Sequence, residues 1–141
     1  MEHKNTDQLQ QELMTGNDLD RVLADNDSSF RGYALQERLQ ALFQRREISK
    51  TALARQSGIS EVYLHQVFSG RRTPSRNRLL CLCFGLGASL EEAQDLLRHC
   101  GCAELYPKVR RDAIIIFGLL HGMDLFTVND RLFSEDEETL F

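Results

Sequence analysis

The sequence predicts an all-α fold. Three observations carry that expectation. The composition is rich in Gln, Glu, Arg, Leu and Ala, with only two prolines and no tryptophan. Apolar residues recur at helical spacing along most of the chain. Ser, Asp and Gly stand where helices should begin and end. At 141 residues the chain suits one domain with short appendages and is long enough to bury a core.

Residues 1–30 read as an acidic, partly helical arm. Leu9, Leu13 and Met14 share one face, and Asn17 or Asp18 caps a short helix carrying Leu19, Val22 and Leu23. NDSS at 26–29 reads as a loop. The arm is either a docking or dimerisation segment or partly disordered. From Tyr33 the pattern strengthens, with Leu35, Leu39, Leu42 and Phe43 forming one stripe. Ser49 caps the next helix, which Gly58 ends, and Ser60 caps a third, which Gly70 stops. RRTPSRN is a loop, and Ser75 starts a helix over 76–86 that ends near Gly85 or Gly87. Ser89-Leu-Glu-Glu92 is a capping box opening a fifth helix that ends at Gly101.

Residues 103–141 form a C-terminal helical extension. Pro107 precedes a helix over about 108–121, whose apolar run Ala113 to Leu120 predicts burial on most sides. Asp124 caps a last helix through about Phe133, and SEDEE at 134–138 reads as a frayed, solvated tail. Residues 108–133 resemble a second helix-turn-helix in outline, although an antiparallel helix pair is the simpler reading.

Charge is unevenly placed. The whole chain carries −4, but residues 1–30 carry −5, residues 31–122 carry +6 and residues 123–141 carry −5. A basic centre between acidic ends is compatible with a local phosphate-binding face. No run of about 18 apolar residues is present, so no membrane partner is expected. The first residues lack an apolar stretch, and the cytoplasm is the expected location. In that compartment the pairs Cys81-x-Cys83 and Cys100-x-Cys102 stay reduced. Helical positions two apart point in different directions, so core packing is the expected role and neither metal nor cofactor is predicted. An enzyme is not expected. There is no Gly-rich phosphate loop, nucleophile elbow or His-Glu-x-x-His, and His3, His65, His99 and His121 are scattered. His99 and Cys100, adjacent on a helix, diverge.

The informative stretch is KTALARQSGISEVYLHQVFSGRRTP, Lys50 to Pro74. Two helices that cross closely need a small residue at the crossing, here Ala54. Four residues later the turn needs one tolerant of positive φ, here Gly58. Ile59 then plugs the angle, Leu64 and Val67 face inward from the second helix, and Leu53 seals the first. Six requirements met in register make a helix-turn-helix.

These residues resemble the lambda-repressor/Cro-like, or xenobiotic-response-element type, family of bacterial regulators. Tyr63 stands where many members carry an aromatic, and Ser69-Gly-Arg-Arg-Thr-Pro74 is similar to the family's loop after the recognition helix. The resemblance implies a lambda-repressor-like five-helix DNA-binding domain over 31–102, with additional N- and C-terminal helices. It implies a sequence-specific transcriptional regulator whose partner is double-stranded DNA, bound as a homodimer with residues 60–69 in the major groove. Glu61, Val62, His65 and Gln66 are then the base-reading candidates. Lys50, Ser60, Tyr63, Arg71, Arg72, Arg76 and Arg78 are the backbone candidates. Glu61 departs from the Gln, Arg, Lys or Ser usual at the first exposed position. The alternative is therefore a helix-turn-helix adaptor or antitoxin-like protein that uses the face for a protein partner.

Overall fold

A computed structural model describes residues 6–16, 18–25 and 31–141. Among these residues there are nine helices and no strand: α1 (Thr6–Thr15), α2 (Leu19–Asp25), α3 (Arg31–Arg46), α4 (Lys50–Gln56), α5 (Glu61–Ser69), α6 (Arg76–Gly85), α7 (Leu90–His99), α8 (Arg110–Leu120) and α9 (Leu125–Ser134). None of them is long and apolar enough to cross a membrane. The NDSS segment and Asn17 lie outside the described residues. Asp18 does cap α2, its Oδ1 accepting from the Asp20 and Arg21 backbone N–H groups at 3.1 and 3.4 Å.

The caps explain the helix starts. Hydroxyls of Ser49, Ser60, Ser75 and Ser89 and the carboxylate of Asp124 each accept a backbone N–H from the first turn of the helix that follows. At α7 the Glu92 carboxylate returns the bond to the Ser89 N–H at 2.8 Å, completing the capping box. A hydrogen bond from Arg45 holds the Glu92 carboxyl below its usual range, and the Thr127 N–H does the same for Asp124. Both groups therefore add stability that is present above the ordinary carboxylate range and is lost as pH falls through the lowered values.

Around these helices one core forms. Leu39 of α3, Leu53 of α4, Leu64 of α5, Leu79, Leu80 and Leu82 of α6, Leu96 and Leu97 of α7, Ile115 of α8 and Leu132 of α9 are fully buried. Each such side chain contributes about 1.5–3 kcal/mol of apolar burial. Cys81 and Cys83 are buried within it, and burial pushes their thiols up to about 11 and about 12, so both stay neutral at pH 7. Cys100 and Cys102 pack half-buried at its edge.

Two expectations about the C-terminal helices need correction. The burial expected for the run from Ala113 to Leu120 is incomplete: Ile115 and Gly118 are buried and Ile114, Ile116 and Leu119 pack half-buried against the core, while Phe117 is 56% and Leu120 62% exposed. An uninterrupted apolar run specifies no covering surface, and one strip of α8, at Phe117 and Leu120, faces outward. Nor is the SEDEE segment a solvated tail. Glu135 pairs with Arg110 and Arg131. Arg111 donates to the carbonyls of Glu138 and Thr139 at 2.7 and 3.3 Å, and Leu140 is buried. The helix itself begins at Arg110, not 108, with no side-chain cap at Val109.

A buried ion pair ties this extension to the rest. Asp112 on α8 accepts from Arg76 on α6 through both oxygens, at 3.5 and 3.2 Å, and from the Tyr106 N–H at 3.0 Å. Arg76 also donates to the carbonyls of Ala103 and Glu104, so one guanidinium gathers α6, α8 and the loop between α7 and α8. The amide of Gln94 fastens that loop a second time, bonding Leu105 N–H and C=O at 2.7 and 2.8 Å.

Asp112→Ala takes the buried carboxylate from the half-buried Arg76 guanidinium, which keeps its two carbonyls, and should cost about 1–3 kcal/mol in chemical denaturation; a loss under about 0.5 kcal/mol would show that the pair does not hold the extension. Gly58 ends α4 at φ +62°, a conformation a β-branched residue resists. Gly58→Val should lower stability by about 1–3 kcal/mol, and an unchanged melting temperature would contradict the turn geometry.

Candidate nucleic-acid interface

The site is built by the crossing of α4 and α5. Leu53 and Ala54 of α4 and Leu64 and Val67 of α5 are buried, and Ile59 packs against the core between the helices. The positive-φ residue Gly58 lets the chain reverse within four residues, from Gln56 to Glu61. With Leu64 and Val67 pointing inward, helical geometry turns the opposite side of α5 outward. Glu61 and His65 are exposed there, Val62 is 68% exposed and Gln66 is half-buried. All four base-reading candidates thus lie on or beside one outward face. Val62, His65 and Gln66 line a shallow groove of about 560 Å³ with Lys50, Arg71, Gln40, Phe68 and Ser69.

The helix ends in a closed turn that positions the arginines. Gly70 takes the left-handed conformation, the Arg72 N–H donates to the Gln66 carbonyl at 3.2 Å, and Ser69 Oγ donates to the same oxygen at 3.1 Å. Pro74 is buried and anchors the loop. Tyr63, half-buried, holds two cations: the Arg78 guanidinium lies 4.5 Å and that of Arg72 5.5 Å from its ring centroid. On the other flank Lys50 Nζ sits 5.3 Å from the Phe68 ring centroid and 6.0 Å from that of Phe43. The two phenyl rings meet edge to face at 5.6 Å. Ser60 spends its hydroxyl on the Tyr63 N–H at 3.1 Å, so its place at the interface is that of a cap.

Ion pairing neutralises part of the basic centre, though not Arg46 and Arg111, which bond neutral groups instead. Arg38 pairs with Asp95, Arg45 with Glu92, Arg98 with Asp95 and Glu104, and Arg110 and Arg131 with Glu135. Lys50, Arg71, Arg72 and Arg78 have no carboxylate within ion-pair distance among the described residues. Arg76 does not join them. Its side chain is committed to Asp112 and to two carbonyls, away from the face that the sequence suggested for it.

Sequence reasoning missed Gln40, Phe68 and Ser69 as walls of the groove. For Phe68 a signal existed: it lies one turn beyond Leu64, on the flank of the buried stripe, where an aromatic ring reaches both core and surface. Gln40 comes from a distant helix, and nothing local marks it.

Chemically, the arrangement offers unpaired cations, an exposed helix face and a shallow groove. Among the described residues no group of three or more His, Cys, Asp or Glu side chains is placed to hold a metal ion. No curated protein and no solved structure matches the chain. The model of a helix-turn-helix domain family matches residues 34–100, from the first turns of α3 to the end of α7, and this part of the chain is similar to that family.

Proposed function

We propose that this protein is a sequence-specific DNA-binding transcriptional regulator of the lambda-repressor-like type, with α5 lying in the major groove of double-stranded DNA. One observation carries the reading. Lys50, Arg71, Arg72 and Arg78 gather about the outward face of α5 with no carboxylate partner among the described residues. A helix fits the major groove, and cations on both flanks meet the two phosphate strands that border it. Gln66 is suited to adenine, Val62 to a thymine methyl, and Glu61 to the amino group of cytosine. His65 adds a donor at the centre of the same face. A homodimer places two such helices on half-sites about one helical turn apart.

Four cations on four phosphates predict that log affinity falls with log salt at a slope of about −3.6 per bound subunit. Arg71→Ala with Arg72→Ala should bring the slope to about −1.8, measured by fluorescence anisotropy on duplex from the region upstream of the protein's own reading frame. No binding to any duplex at low salt overturns the proposal and leaves the face to a protein partner. Gln66→Ala should weaken specific binding by about 1–3 kcal/mol and spare binding to random duplex. Equal losses on both would show that Gln66 reads no base.

A further inference from the structure

The turn between α4 and α5 is covered by residues from a distant part of the chain. A methyl group placed on Gly58 would touch Cδ2 of Leu125 at 3.5 Å and two ring carbons of Phe141 at 3.7 Å, so both side chains lie directly over the turn. Leu125 opens α9 and is buried. Phe141 is 55% exposed, and its ring meets that of Phe126 edge to face at 5.6 Å. The groove beside α5 takes none of its walls from α8 or α9. The C-terminal extension therefore bears on the candidate interface through its turn.

Phe141 is delivered there by a segment fastened along its length. Asn129 of α9 grips it twice: Oδ1 accepts the Leu140 N–H at 2.6 Å, and Nδ2 donates to the Phe141 carbonyl at 3.3 Å. The Leu140 side chain is buried, and its carbonyl accepts from Cys81 Sγ of α6 at 3.9 Å. Arg111 of α8 bonds the Glu138 and Thr139 carbonyls and also Asn77 Oδ1 of α6, while Glu135 pairs with Arg110 and Arg131. Ordering an irregular segment costs about 1–2 kcal/mol per residue, so contacts from three helices are what keep this one in place. The turn beneath it has little of its own. Two backbone bonds close it, Gly58 N–H to Arg55 C=O at 3.2 Å and Ile59 N–H to Ala54 C=O at 3.1 Å. With seven residues, α4 is too short to hold its shape in water by itself.

We infer that residues 135–141 are a strap that presses Phe141, beside Leu125, onto the Gly58 turn and so holds the angle between α4 and α5. Burial of Leu64 and Val67 decides which side of α5 faces outward; the strap holds the turn about which α5 would otherwise swing. Phe141 is then a positioning residue for the interface and touches no ligand. Loosening the strap opens the turn locally, while the core around Leu80, Leu82 and Leu96 stays closed.

Residue-resolved amide hydrogen exchange on the full-length protein tests this without DNA. Phe141→Ala, and separately Asn129→Ala, should speed exchange at Gly58 and Ile59 by about fivefold or more, while Leu80, Leu82 and Leu96 keep their protection. Phe133→Ala removes a more exposed ring of α9 and should leave the turn unchanged. A turn indifferent to Phe141→Ala or to Asn129→Ala overturns the proposal, and so does one that responds equally to Phe133→Ala. An equal rise at all five amides also overturns it, because that marks a loss of overall stability with no particular hold on the turn. A second readout rests on the proposed DNA binding. Phe141→Ala should weaken duplex binding by about threefold at an unchanged salt slope, since no phosphate contact is removed. Unchanged affinity beside a loosened turn overturns the claim on α5. If the unaltered protein binds no duplex, the proposed function fails, and the exchange result alone decides the strap.

Discussion

The close crossing of α4 and α5 is the constraint on which the proposed interface depends. Ala54 is small enough for the second helix to approach, and Gly58 reverses the chain at a backbone angle that side-chain-bearing residues resist. Leu53, Leu64 and Val67 then bury completely or nearly so. Those three burials are worth about 1.5–3 kcal/mol each, a large share of the 5–15 kcal/mol by which a domain of this kind is stable. Once they are made, α5 has no rotational freedom. Its other side, with Val62, His65 and Gln66, must face outward whatever those residues cost in exposed apolar area.

The electrostatics follow from the same geometry. The basic centre contains many arginines, and the fold brings carboxylates against five of them, Arg38, Arg45, Arg76, Arg98 and Arg110. Arg45 reaches Glu92, and Arg38 reaches Asp95, across the α3–α7 contact. Exposed pairs of this sort add little to stability. Their effect is on the field: they neutralise charge on the α3–α7 side, while Lys50, Arg71, Arg72 and Arg78 around α5 keep no carboxylate partner among the described residues. Tyr63, Phe43 and Phe68 hold three of those cations over ring faces, within reach of a phosphate at this face.

Much of this was legible in the sequence because its signals are local. Serine caps at 49, 60, 75 and 89, the aspartate cap at 124 and the positive-φ glycines are read from a few neighbouring residues, and the helix limits inside the helix-turn-helix domain follow from them. What escaped is non-local. Arg76 looks like its neighbours Arg72 and Arg78, and only the fold brings Asp112, 36 residues away, against it. The acidic segment after α9 reads as solvated until Arg110 and Arg111 arrive from the start of α8. The apolar run of α8 fills its inner side in the core and leaves Phe117 and Leu120 to the surface, a division that hydrophobicity alone does not encode.

The most direct test of the central claim is an amide chemical-shift map of the protein titrated with duplex DNA at low salt. If α5 enters the groove, perturbations should concentrate at Glu61 to Gln66, at Lys50, and at Arg71 and Arg72, with α8 unmoved. Shifts gathered on α8 and α9, or none at all, would contradict the account.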